Sequence, residues 1–165
     1  MNIRLYFDGA CQPQNPGVGT WAFIVCCHDG HDVVRGSLSV REDSIIHRSM
    51  GVVDGGRLST NNRAEYYALG HGLKWIRENE EGLWTKLFIY GDSQLVIYQS
   101  IDQWKCRSDT LRPLCERVKD NLSALPMEWQ AEWIPRHLNE LADRMSSLAY
   151  CEFLKRHKHP QESQP

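Results

Sequence analysis

The sequence has no apolar run approaching the roughly 20 residues that a membrane-crossing helix needs, which excludes a helical span. Its first residues include no basic segment followed by an apolar one and no Arg- and Ser-rich amphipathic leader. No targeting signal is read there, and the expected location is the cytoplasm. None of the six cysteines, at 11, 26, 27, 106, 115 and 151, belongs to a Cys-x-x-Cys pair, which argues against zinc knuckles and dithiol redox motifs. They are expected to be reduced thiols used as small hydrophobes, with the neighbours Cys26 and Cys27 on opposite faces of a strand. An excess of positive charge is missing too: 19 Lys and Arg against 21 Asp and Glu leave a net charge of −2. Many duplex binders are strongly basic, because neutralising phosphates supplies much of their affinity. A near-neutral total still suits such a partner if acids gather at a metal site and bases lie along a groove, so charge alone does not decide. There is no internal repeat and no linker of domain scale.

What is present fits one globular domain: 165 residues, 41% hydrophobic and 24% charged. Residues 2–8 alternate, with Ile3, Leu5 and Phe7 on one side and Arg4, Tyr6 and Asp8 on a polar side, as in a strand ending in an aspartate. Gly, Pro, Asn and Gln over 9–19 read as a loop. Residues 21–27 are strand-like, and Asp29-Gly30 predicts a hairpin turn into a third strand at about 31–40. Residues 42–58 lack clear periodicity and read as a strand-to-helix insertion.

Ser59-Thr60-Asn61-Asn62 supplies a cap for a helix over about 61–80. Its stripes are Ala64, Ala68, His71, Trp75 and Glu65, Leu69, Gly72, Leu73, Ile76. A short apolar strand over 86–92 ends in Gly91-Asp92; helices over 93–100 and 109–122, a fifth strand over 127–134 and a last helix over about 138–156 follow. A domain at 1–157 and a polar, disordered tail at 158–165 complete the reading. The order β-β-β-α-β-α-α-β-α predicts an α/β fold: a mixed five-stranded sheet with helices on its faces.

Four acids sit at ends of elements, where a sheet brings distant segments together: Asp8, Glu65, Asp92 and Asp143. Two carboxylates about 4 Å apart repel by roughly 4 kcal/mol at an effective dielectric near 20, so a cluster of four must take up protons or bind cations. Oxygen-only ligands favour hard ions such as magnesium. Each acid also has a plain structural explanation: Gly-Asp after a strand is a common turn, and a first-turn Glu complements the helix dipole.

Taken together, Asp8-Gly9-Ala10, Thr60-Asn61-Asn62-Arg63-Ala64-Glu65, Gly91-Asp92-Ser93-Gln94 and Asn139-x-x-Ala142-Asp143 resemble the type 1 ribonuclease H family, in order over about residues 2–150. The resemblance implies a ribonuclease H fold and a metal-dependent endonuclease cutting the RNA strand of RNA–DNA hybrids, leaving 5′-phosphate and 3′-hydroxyl ends. It makes Asp8, Glu65, Asp92 and Asp143 both the catalytic residues and the ligands of two Mg2+ ions, with Mn2+ as a substitute. It also implies that Thr60, Asn61 and Asn62 contact the nucleic-acid backbone, as a helix N-terminus favours, while capping is their plain role. Asn15 and Gln94 resemble minor-groove contacts, where amides can recognise 2′-hydroxyls. Arg136 and Asn139 are expected to orient the aspartate or a phosphate. No obligate protein partner is read, and the expected state is a monomer.

Two departures set this chain apart from the housekeeping form. Between Asp92 and Pro113 it offers only Trp104, Lys105, Arg107 and Arg112 in place of a basic protrusion, which resembles the handle-less subgroup of archaea and some bacteria. Weaker, more salt-sensitive hybrid binding is expected. The Trp133-Ile-Pro-Arg136-His137-Leu-Asn139 connection is short, so His137 either moves protons, as its reference pKa near 6.5 would suit, or simply faces solvent at a helix start. Lys155, Arg156 and Lys158 are either a phosphate contact or a solvated helix end. A catalytically silent nucleic-acid-binding module of the same fold is the alternative function; retention of all four acids speaks against it.

Overall fold

The computed structural model describes residues 1–28 and 40–158. Six strands form one sheet: β1 (Asn2–Gln12), β2 (Gly17–His28), β3 (Ile45–Val52), the two-residue β4 (Leu58–Ser59), β5 (Lys86–Gly91) and β6 (Glu128–Trp133). The helices are α1 (Asn61–Asn79), α2 (Gln94–Ser100), α3 (Arg112–Ser123) and α4 (Glu140–His157). The strand order is β3-β2-β1-β5-β6, with β4 paired to β2. The first three strands run antiparallel, whereas β5 and β6 follow β1 in parallel. The expected mixed sheet is therefore present, with β4 as a minimal sixth strand. Among the described residues no helix is long and apolar enough to cross a membrane.

β1 occupies the centre, and both its faces are covered. Ile3, Leu5 and Phe7 meet Leu69, Leu73 and Ile76 of α1 and Val118 and Leu122 of α3 in the larger core. Tyr6, Ile24, Cys26 and Tyr90 pack with Ala142 of α4 on the opposite face. The polar side read for β1 is thus not a wet one: Arg4 and Tyr6 are each 1% exposed and Asp8 is 4% exposed. Arg4 is accommodated by donating to the Tyr6 hydroxyl at 3.4 Å and the Cys27 carbonyl at 3.2 Å, since a buried guanidinium needs such acceptors.

Among the described residues the strand that follows β2 is β3, at Ile45–Val52. The proposed hairpin turn at 29–30 and nearly all of the strand at 31–40 lie outside the described residues, and β3 comes from the segment read as an insertion. Its sequence concealed it because β3 sits on the outside of β2 with its residues half-buried or exposed, so little apolar alternation is required. The loop read over 9–19 is also shorter, because β1 and β2 pair as far as Gln12 and Val18.

The helices follow their predicted stripes closely. Thr60 caps α1, its hydroxyl accepting from the Arg63 amide at 3.4 Å, and Glu65, Leu69, Gly72, Leu73 and Ile76 are all buried. His71 departs from its stripe's apolar pattern: it is exposed, and its ring stacks on Trp21 at 4.1 Å. α3 starts at Arg112, three residues after the expected point, behind a Ser108 hydroxyl that accepts from the Leu111 amide at 3.3 Å. Residues 101–111 join α2 to α3 without a helix, so no protrusion is built there. The expected tail lies outside the described residues from position 159 onward. All six cysteines are described, and none is in a disulfide.

Leu73 is fully buried between α1 and β1. Leu73→Ala is expected to destabilise the fold by about 2–5 kcal/mol, the usual range for removing a core leucine. Urea unfolding followed by circular dichroism measures this.

Candidate active site

Parallel pairing places the first two acids side by side. β1 and β5 are in register with Phe7 opposite Gly91, so the next residues, Asp8 and Asp92, stand where β5 stops and a crevice opens. Glu65 arrives from α1 on one face of the sheet and Asp143 from α4 on the other. The approach of α1 requires glycine at position 9: a β-carbon there would lie 2.2 Å from the Ala64 carbonyl carbon and the Glu65 nitrogen. Backbone of this kind cannot yield, so Gly9 is what lets Glu65 reach Asp8.

One oxygen each from Asp8, Glu65 and Asp92 lies within 4.8 Å of the others. Asp143 is beside them on the same cleft of about 510 Å3 and is outside that tight trio. Its Oδ1 accepts from Arg136 Nη2 at 2.7 Å, and Arg136 also lines the cleft.

The remaining predicted residues divide by position. Asn61 and Asn62 line the cleft, both exposed. Asn61 Oδ1 accepts from the Cys11 amide at 2.8 Å, and Asn15 Oδ1 accepts from the Asn61 amide at 3.2 Å. These amides, with the Thr60 cap, tie the β1–β2 loop to the start of α1. Gln94 is exposed at the start of α2, next to Ser93 on the cleft wall. Asn139 is buried and donates its side-chain amide to the Phe7 carbonyl at 2.9 Å. His137 is exposed and lines a different cavity of about 360 Å3, together with Glu42, Glu140 and Arg144. Lys155 and Arg156 fall in the last turn of α4, where cations complement the helix dipole.

Three contributors went unread in the sequence. Ser146, fully buried on α4, donates to Asp8 Oδ2. Trp133 Nε1 donates to the Asp92 carbonyl at 3.1 Å, and Cys11 stands on the cleft wall. A signal for Ser146 existed: Asn139, Asp143 and Ser146 are spaced i, i+4, i+7, which is one face of a helix.

The electrostatics are those of crowded, desolvated carboxyl groups. Burial pushes the Asp8 carboxyl up to about 7, the Ser146 hydrogen bond pulls it down, and Asp92 and Asp143 raise it further. Burial, then Asp8 and Asp92, raise Glu65 well above the usual carboxylate range, against a hydrogen bond from the Gly9 backbone. Burial also raises Asp92. Glu65 Oε2 is buried with no hydrogen-bond partner, an acceptor left for something the protein itself does not supply. Hard oxygen donors in this number and closeness fit a divalent cation of the magnesium or manganese type.

A sign follows for stability. A carboxyl raised from 3.8 to about 7 holds its proton more tightly in the folded than in the unfolded chain. Its stabilising effect is full below the unfolded value and is lost as pH rises towards 7. With chelator present, the unfolding temperature is expected to fall between pH 4 and 7, and Asp8→Asn should flatten that fall and raise the midpoint at pH 7. A scan of thermal midpoints across this pH range checks both.

Comparison with known proteins agrees with the geometry. The RNase H family model matches residues 1–150. A ribonuclease H of Treponema denticola is 30% identical over 171 residues, covering 88% of this chain and 95% of that protein. The crystal structure of RNase H1 from the archaeon Halobacterium salinarum superposes with a TM-score of 0.74 at 27% identity, covering 92% of this chain and 99% of that one. LC11-RNase H1, in complex with an RNA/DNA hybrid, has the same fold, with a TM-score of 0.76 at 22% identity and coverage of 93% and 99%. With the family model spanning nearly all of the described residues, this chain belongs to the ribonuclease H family.

Proposed function

We propose that this protein is an endonuclease that hydrolyses the RNA strand of RNA–DNA hybrids. The observation that carries the reading is the trio of Asp8, Glu65 and Asp92 oxygens within 4.8 Å, at the strand ends of a ribonuclease H family chain. Asp143, beside them, completes the set of four ligands. Asp8, Glu65, Asp92 and Asp143 would hold two Mg2+ ions, which when bound would supply Lewis-acid activation of water and charge stabilisation for an in-line displacement at phosphorus. Mn2+, with the same preference for oxygen, would substitute.

The protein's own groups do the holding. Asp8 on β1 and Asp92 just past the end of the adjacent β5 form the fixed centre, with Glu65 and Asp143 closing it from the two faces of the sheet. Arg136, mostly exposed beside Asp143, is placed to meet a phosphate. Exposed amides of Asn62 and Gln94 are placed to donate to and accept from 2′-hydroxyls, the group that distinguishes RNA from DNA. Asn15, Thr60 and Asn61 frame the phosphate-binding start of α1, and Asn139 orients Asp92 and β1. Water adds to phosphorus, the bond to the 3′-oxygen breaks, and the ends are a 5′-phosphate and a 3′-hydroxyl. The hybrid seen bound to LC11-RNase H1 supports this substrate class. The reading takes 1–157 as one catalytic domain, followed by a tail at 158–165, acting as a cytoplasmic monomer.

Incubation with labelled RNA–DNA hybrid, double-stranded RNA, single-stranded RNA and DNA is expected to give cleavage of the hybrid's RNA strand alone. EDTA should abolish the cleavage. Asp92→Asn should lower it by about 1,000-fold or more, the scale on which losing one member of a concerted site acts. Full activity in Asp92→Asn would sink these roles, and hybrid binding without turnover in the wild type would favour a silent binding module.

A further inference from the structure

We propose that Ser146 is a positioning residue for the metal site, tethering Asp8 to α4 so that Asp8 and Asp143 keep the spacing a divalent cation needs. The inference rests on the four acids being metal ligands.

Ser146 is 0% exposed, and its hydroxyl donates to Asp8 Oδ2. Among the described residues its other acceptor is the Asp143 carbonyl at 3.0 Å, the ordinary back-bond of a serine within a helix. A hydroxyl has one proton, and a carboxylate is the stronger acceptor, so the bond to Asp8 takes it. Packing alone gives no reason for serine here. Alanine fills nearly the same volume, is the better helix former and brings no polar group to bury.

The placement on α4 gives the contact its meaning. At 100° per residue, Asn139, Asp143 and Ser146 fall within an arc of about 60° on one helix face. Asn139 pins that face to the Phe7 carbonyl and Ser146 pins it to the Asp8 carboxylate. The two pins hold consecutive residues of β1 and bracket Asp143, so the fourth ligand is fixed relative to the first. Tethering Oδ2 also restrains rotation of the Asp8 side chain and leaves Oδ1 without this bond. Hydrogen-bond partners of metal ligands act in this way and typically contribute 10- to 100-fold in metal affinity, by about that order.

The test is a calorimetric titration of the 165-residue chain with Mn2+, without substrate. Ser146→Ala is expected to weaken Mn2+ binding by about 10-fold while the circular dichroism spectrum stays that of the wild type. Ser146→Cys, with a weaker donor of similar shape, should fall between the two. In cleavage assays the metal concentration for half-maximal rate should rise in step, with the rate at saturating metal largely restored. A purely structural serine would shift the unfolding midpoint and leave Mn2+ affinity unchanged; that result in a folded Ser146→Ala overturns the proposal. If Ser146→Ala does not fold, the Cys variant carries the test: affinity equal to the wild type overturns the proposal, and weaker binding supports it. A wild type that binds no Mn2+ overturns the functional reading and this inference together, whereas equal affinities overturn this inference alone.

Discussion

The backbone of α1 rests directly on Gly9, and the site depends on that contact. With a hydrogen instead of a β-carbon at position 9, the first turn of the helix comes close enough for Glu65 to meet Asp8 around the strand. The rest of the fold aims at the same point. β5 pairs in parallel with β1 and delivers Asp92 at Asp8's level, while α4 closes over the opposite face and delivers Asp143. A one-residue slip of β1 would send Asp8 to the α1 face and Gly9 to the α4 face, removing both arrangements at once.

Bringing the acids together works against folding, and the surrounding hydrogen bonds offset only part of the repulsion. Ser146 acts on Asp8, Asn139 on Asp92, the Gly9 backbone on Glu65 and Arg136 on Asp143. Burial still dominates, leaving Asp8, Glu65 and Asp92 with raised affinity for protons. The same desolvation that favours protonation leaves the carboxylates a strong attraction for a cation. In the proposed reading, metal affinity and the instability of the metal-free site share one origin, as is common where function is built on strain in the charge distribution. On the same reading the modest net charge of the chain is no obstacle to an anionic substrate, because bound cations would neutralise the acid charge.

Much of the fold was legible because its elements carry strong local patterns. α1 shows a full apolar stripe and a capping sequence, and β5 is a short apolar run ending in Gly-Asp; each formed close to where it was expected. β3 was not legible. Exposed on one flank of the sheet, it is not required to alternate, and its identity as a strand comes from β2 alongside it. β1's alternation gave one apolar and one polar face, and only the packing showed that α4, more than a hundred residues further along the chain, buries the polar one.

The four acids and their order were determined by the sequence itself, because each stands at the end of a locally encoded element within a motif of recognisable spacing. Which groups serve them was decided only by the tertiary structure. Ser146 became a partner of Asp8, Asn61 a link to Cys11 of β1 and Asn15 of the β1–β2 loop, and His137 the wall of a separate cavity. A side chain's partners depend on which face of a helix meets which strand, and that is fixed by packing between segments far apart in the chain. Local periodicity records whether a face is buried; it does not record what the face is buried against.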